Sequence, residues 1–160
     1  MCIYSIDSSA LVDAWKYIYA PKNFPRVWER IEEIVSEGKL KCAEEVYDEI
    51  VLDEHADNLD DLAEWMLGHK EAIVYPTGLV QEEILRLQQI VQLAHPNGKS
   101  QGDPWVVALA MKFPNCSVVA HEKESDNAAK LYKKIPEACK LMNIKCIHIW
   151  QIIQEQDWHF

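Results

Sequence analysis

The chain has 160 residues, enough for one domain with a sizeable core and too few for two independent ones. Hydrophobic residues make up 49% and charged residues 26%, which excludes disordered, collagen-like and low-complexity classes. The formal charge is −10, yet ten of the 26 acids lie within residues 44–64, where Lys and Arg are absent, so the remaining 16 acids are matched by 16 bases and the excess is local.

Residues 2–6 (CIYSI) read as a short strand stopped by Asp7-Ser8-Ser9, after which ALVDAWKYIY has helical spacing. A second helix is predicted over 24–37, with Val27, Trp28, Ile31, Ile34 and Val35 on one face and Gly38 at its end. LKCA (40–43) suits a buried strand, and EEVYDEIVL (44–52) opens a helix whose acidic start complements the macrodipole. Residues 58–68 and 79–94 read as two amphipathic helices that together form a helical insert or cap. After the polar HPNGKSQG, DPWVVALAMKF is a helix opening with Asp103 and Pro104, and CSVVA (116–120) is a buried strand ending at His121-Glu122. Helices near 127–134 and 136–143, a strand at 144–149 and a C-terminal amphipathic helix follow. About four short strands alternating with helices imply an α/β layer fold with a mainly parallel sheet, as one domain over 1–160.

No apolar run is long enough to span a membrane, and MCIYSIDSSALVDAW has no basic leader ahead of an apolar stretch, so a soluble, cytoplasmic protein without a membrane partner is expected. Five widely spaced cysteines without a Cys-x-x-Cys pair argue against a zinc ribbon or a disulfide scaffold. Cys139, Cys146 and His148 sit among apolar neighbours and read as core rather than as metal ligands. Between residues 127 and 148, Lys130, Lys133, Lys134, Lys140 and Lys145 face only Glu137; the segment is either a polyanion contact or a solvated helix face.

Ligands in open α/β sheets bind at the carboxyl ends of strands, which singles out Asp7 and Glu122 directly. Asp103 begins the helix before the third strand, and Glu49 lies on the helix after the second, beside the apolar Val46 and Ile50. Each has an ordinary reading as well: Asp7 and Asp103 as helix N-caps, Glu49 as a solvated charge, Glu122 as one charge of the loop HEKESD. If the four converge, their repulsion requires a cation, and oxygen ligands without His or Cys at ligand spacing select Mg2+ or Mn2+. Such an ion acidifies a water and stabilises charge on a phosphoryl oxygen, the requirements for hydrolysing a phosphodiester.

IYSIDSSALVDAW, the helix-borne Glu of EEVYDEI, GDPWVVALA and SVVAHEK, in that order, resemble the PIN-domain ribonuclease family, including VapC-like toxins and stand-alone PIN-like proteins. The resemblance spans most of the chain and implies a PIN-like three-layer fold. It also implies a Mg2+- or Mn2+-dependent endoribonuclease, acting as the toxin of a bacterial type II toxin–antitoxin pair, with RNA as substrate and a cognate antitoxin as partner. The family's four acids match Asp7, followed by Ser8 and Ser9, then Glu49, Asp103 and Glu122. Family members commonly carry Asp or Asn at the fourth place, and Asp126 is the substitute for Glu122. By this resemblance Asp7, Glu49 and Asp103 are metal ligands, Glu122 is a ligand or orients the attacking water, and Ser9 supports them. Lys130, Lys133 and Lys134, or Lys16 and Arg26, hold the RNA backbone, while His121 is either a proton carrier or structural.

Ser9 stands where a haloacid-dehalogenase phosphatase needs a second Asp, and Tyr4 and Ser5 stand where a receiver domain needs acids. The remaining alternative is a catalytically silent PIN-like module for RNA or protein binding. In that reading 44–64 is an acidic docking surface. The helix over 79–94 or the tail 149–160 suits a homodimer.

Overall fold

The computed structural model describes residues 1–52, 60–93, 103–122 and 133–160. Strand β1 (Tyr4–Ile6) runs into α1 (Ser8–Asp13), which loosens into a π-helical turn over Ala14–Ile18. Helix α2 (Pro25–Ser36) starts on a proline whose fixed φ suits the first helical position. Strand β2 (Leu40–Ala43) is followed by α3 (Glu44–Val51), α4 (Asp61–Gly68) and α5 (Lys70–Ile73). Strand β3 (Val74–Tyr75), a 3-10 turn at Thr77–Val80 and α6 (Gln81–Gln88) come next. The chain continues through α7 (Asp103–Lys112), β4 (Ser117–Val119), α8 (Ile135–Leu141), β5 (Cys146–Ile147) and α9 (Ile149–Glu155).

The strands form one five-stranded sheet in the order β3-β2-β1-β4-β5, and every pairing in it is parallel. The expected α/β fold with a parallel sheet is therefore observed, with one correction: among the described residues there are five strands. The fifth, β3, lies in the stretch read as a helical insert, where it pairs Cys42 with Val74 and Ala43 with Tyr75. Two residues are too few to display a period of two, so no alternation marked it. The helix expected over 79–94 is also shorter, beginning as a 3-10 turn and ending at Gln88 as α6. Most of the helix expected near 127–134 lies outside the described residues.

Alternation along β1 explains how helices cover both faces. Ser5 points to one side and donates its hydroxyl hydrogen to the Val106 carbonyl of α7 at 2.7 Å. Tyr4 points to the other, where its hydroxyl donates to Glu155 Oε2 of α9 at 2.9 Å and accepts from Gln156 Nε2 at 3.0 Å. Helix α7 is apolar almost all round and packs on β1, β2 and β4, as a helix enclosed between the sheet and neighbouring helices must. The result is three layers.

Three connections from helix to strand turn through a left-handed residue: Gly38 before β2 (φ 75°), Asn115 before β4 (φ 58°) and Asn143 before β5 (φ 56°). Glycine and asparagine tolerate this conformation best. Hydrogen bonds from Lys39 N to Ile34 O and from Ile144 N to Cys139 O, at 2.9 and 2.8 Å, close two of these turns by satisfying late helix carbonyls. Each helix is thereby returned to the same sheet edge, and all strands run the same way.

Under α2 and α4, Trp15, Trp28 and Trp65 form an edge-to-face cluster with centroids 4.6–6.0 Å apart. The indole N–H of Trp28 reaches the Tyr19 carbonyl at 2.6 Å, and that of Trp65 reaches Glu32 at 2.9 Å. These polar edges are thus satisfied as the rings leave water. Among the described residues, no helix is long and apolar enough to cross a membrane.

Candidate metal centre

In the order β3-β2-β1-β4-β5 the chain leaves β1 in one direction for β2 and β3 and returns on the other side as β4. The change of direction falls between β1 and β4, and in open α/β sheets the carboxyl ends of the strands at such a point are where ligands bind. Asp7 directly follows β1, and Glu122 lies just past β4. Asp103 opens α7, the helix held against β1 through Ser5. Asp7, Asp103 and Glu122 each bring a carboxylate oxygen within 4.8 Å of the other two.

Asp7 is 2% exposed and Asp103 8%. Asp7 caps α1, accepting from Ser9 N at 3.3 Å and from the Ser9 hydroxyl at 2.6 Å. The ordinary reading of Asp7 as a cap and its place in the acidic group thus hold together. Burial pushes the Asp7 carboxyl above its usual range, against the hydrogen bonds from Ser9 and Ser8, which lower it. Glu122 is raised by burial and then by the charge of Asp7, while the Ile135 N–H and Lys134 oppose the rise and Glu49 adds to it. The Ile135 N–H reaches Glu122 Oε2 at 3.4 Å.

Ser9 also accepts from the His121 backbone N–H at 3.0 Å. One hydroxyl therefore bridges the residue after β1 to the residue before Glu122. The His121 ring is held by Asp13, with Nδ1 2.5 Å from Oδ2. Nothing in the sequence pattern of α1 singled out Asp13.

Glu49 stands apart from the group of three. The sequence placed it beside the apolar face of its helix; in the structure it is exposed, while Val46 and Tyr47 fill the buried face. Its Oε2 accepts from the Ser8 hydroxyl at 2.8 Å, and its charge is felt at Glu122. Lys134 acts on Glu122, and Lys16 pairs with Asp60 at 3.7 Å. Lys130 and Asp126 lie outside the described residues.

A cavity of about 450 Å3 opens beside Glu122, between the ends of β4 and β5 and the start of α8. His121, Lys140, Cys146 and His148 line its polar part, and Ala120, Pro136, Ile144 and Ile147 its apolar part. A larger cavity, about 580 Å3, lies at the opposite edge of the sheet, beside Asn115 and Lys145, remote from the three carboxylates. The five cysteines are free thiols.

The donor set fits a hard dication. At an effective dielectric near 20, a pair of ionised carboxylates at this range costs on the order of 3–4 kcal/mol, and a bound 2+ charge converts that repulsion into attraction. Three oxygen donors, two on buried residues, suit such an ion.

Residues 4–160 match the family model described as a domain of unknown function, DUF4411. The chain belongs to the DUF4411 family. No curated protein matches it. The matched span contains Asp7, Asp103 and Glu122, so all three carboxylates are part of the DUF4411 domain itself.

Proposed function

We propose that this protein is a metal-dependent endoribonuclease of the PIN-domain kind, with Asp7, Asp103 and Glu122 holding Mg2+ or Mn2+. The observation that carries the reading is the approach of these three carboxylates to within 4.8 Å at the change of strand order. Their order along the chain, and the small hydroxyl residues after Asp7, support the same reading.

A bound dication supplies positive charge for the phosphoryl oxygens and acidifies a water. The chain's own residues do the rest. Asp7 is held in place by Ser9 and fixes one side of the pocket. Asp103 fixes another from the start of α7. Glu122, steadied by the Ile135 N–H, completes the ligand set or orients the attacking water. Water adds to phosphorus as the bond to the leaving ribose oxygen breaks, leaving one phosphate end and one hydroxyl end. Glu49 acts at the rim through Ser8.

The proposed setting is a bacterial type II toxin–antitoxin pair, in which a cognate antitoxin restrains the nuclease in the cytoplasm. A cationic antitoxin segment suits the acidic pocket and the −10 charge.

The test is RNA cleavage by the pure protein with Mg2+ or Mn2+ and with EDTA, beside the Asp7→Asn and Asp103→Asn variants. Metal-dependent cleavage that both substitutions abolish, with the fold intact, supports the reading. Cleavage that persists in either variant, or RNA binding without cleavage, refutes it, and the latter identifies a binding module.

A further inference from the structure

The cavity beside Glu122 continues outward as a row of rings. His121 and His148 meet edge to face with centroids 5.8 Å apart, and Trp150 follows His148 nearly parallel, at 12° and 6.3 Å. All three residues are exposed, Trp150 to 46%. At the start of α9 the Gln151 N–H donates to the His148 carbonyl at 3.0 Å, and Gln151 Oε1 accepts from the His148 N–H at 2.8 Å. The backbone at His148 is thereby fixed, and the His121 ring is held by Asp13, while all three rings stay outside the core.

This arrangement has the features of a site for one flat heterocycle. The volume falls in the range of small-ligand pockets, and one wall is apolar. At the other side His121, His148 and Trp150 are exposed to solvent, and Lys140 is part of the lining. Aromatic faces accept any base, and only an unpaired base can leave its neighbours to reach them.

We propose that the cavity and the His121–His148–Trp150 row hold an unpaired nucleobase of a single-stranded RNA, next to the phosphate that lies over the carboxylates. The proposal rests on the ribonuclease reading and adds to it a base-binding subsite on the β5 side of the metal centre.

The experiment measures the affinity of a fluorescein-labelled ten-nucleotide uridine RNA for the Asp103→Asn protein in Mg2+, a background that binds without cutting. Trp150→Ala weakens binding about 5-fold or more, the usual loss when a stacked aromatic is truncated, and Trp150→Phe restores it to within about twofold. His148→Asn, which puts a favoured N-cap residue at the start of α9 and removes the ring, weakens binding in the same way. An RNA with abasic sites binds the parent weakly and loses little more against Trp150→Ala. Affinity unchanged by Trp150→Ala, an equal loss with intact and abasic RNA, or no binding by the parent overturns the proposal. Cleavage of the same RNA by the unsubstituted protein is read separately. Ring-dependent binding without cleavage refutes only the ribonuclease reading, and cleavage with ring-independent binding refutes only the base subsite.

Discussion

The Ser9 hydroxyl lies 2.6 Å from Asp7 Oδ2, and the oxygen that donates there also accepts the backbone N–H of His121 at 3.0 Å. A side chain on α1 thus sets the spacing between the ends of the two central strands. Replacing it by alanine leaves one N–H without its acceptor and lets the Asp7 carboxylate turn. Ser9→Ala is expected to cost about 1 kcal/mol of stability. Metal-dependent cleavage should fall 10- to 100-fold, the usual effect of losing a group that orients a ligand. Thermal melts and initial cleavage rates measure the two effects separately.

Stability should depend on pH with a definite sign. Burial, and for Glu122 the charge of Asp7, raise both carboxyls, so the folded state keeps its protons longer than the unfolded chain. Without metal, the contribution of these groups is fully present below the usual carboxylate range and is lost as pH rises through the raised values. Mg2+ at 100 times its Kd should restore about 2.7 kcal/mol at neutral pH, roughly 5–10 °C in Tm for a chain of this size. Asp7→Asn should melt higher than the unsubstituted protein in EDTA and gain nothing from Mg2+. A Tm in EDTA that climbs with pH through this range contradicts the assignment.

Glu49 lies outside the group of three and reaches it through Ser8. Glu49→Gln keeps the hydrogen bond and removes only the charge. Cleavage is expected to drop about 10-fold, far less than on Asp7→Asn or Asp103→Asn, with metal affinity changed less than rate. A loss as complete as that of Asp103→Asn would make Glu49 a direct ligand.

Tyr4 anchors α9 to the central strand, and burial, then the neighbouring Glu155, push its phenol up to about 12 against the hydrogen bond from Gln156. Absorbance titration should show one tyrosine ionising near pH 12, and the signal should disappear in Tyr4→Phe. The stabilising contribution of the phenol is present below pH ~10 and is lost as pH rises through the folded value. The substitution should cost about 1 kcal/mol at neutral pH, since Glu155 retains its ion pair with Lys145.

Much of this architecture was visible in the sequence because its signals are local. The apolar run before Asp7, the Asp-Pro start of α7 and the apolar stretch before His121 each mark an element boundary where a carboxylate stands. Asp7 and Glu122 follow strands, so a strand assignment already puts both at one sheet edge. Strand β3 was missed because Val74–Tyr75 pairs only through the tertiary position of β2. The partnership of Asp13 with His121 was hidden for a related reason: it depends on how α1 lies across the end of β4, which no spacing within α1 records. The exposure of Glu49 likewise follows from where α3 meets Ser8, since helical periodicity alone put it at the border of the buried face.

The central strand is synthesised before either of its neighbours. A nascent polypeptide carries Asp7 for a long stretch of synthesis with no β4 beside it, because Asp103, β4 and Glu122 are encoded much later. The pocket closes only after the segment beyond Glu122 has emerged from the ribosomal tunnel. Products that stop before Glu122 therefore lack the acidic centre.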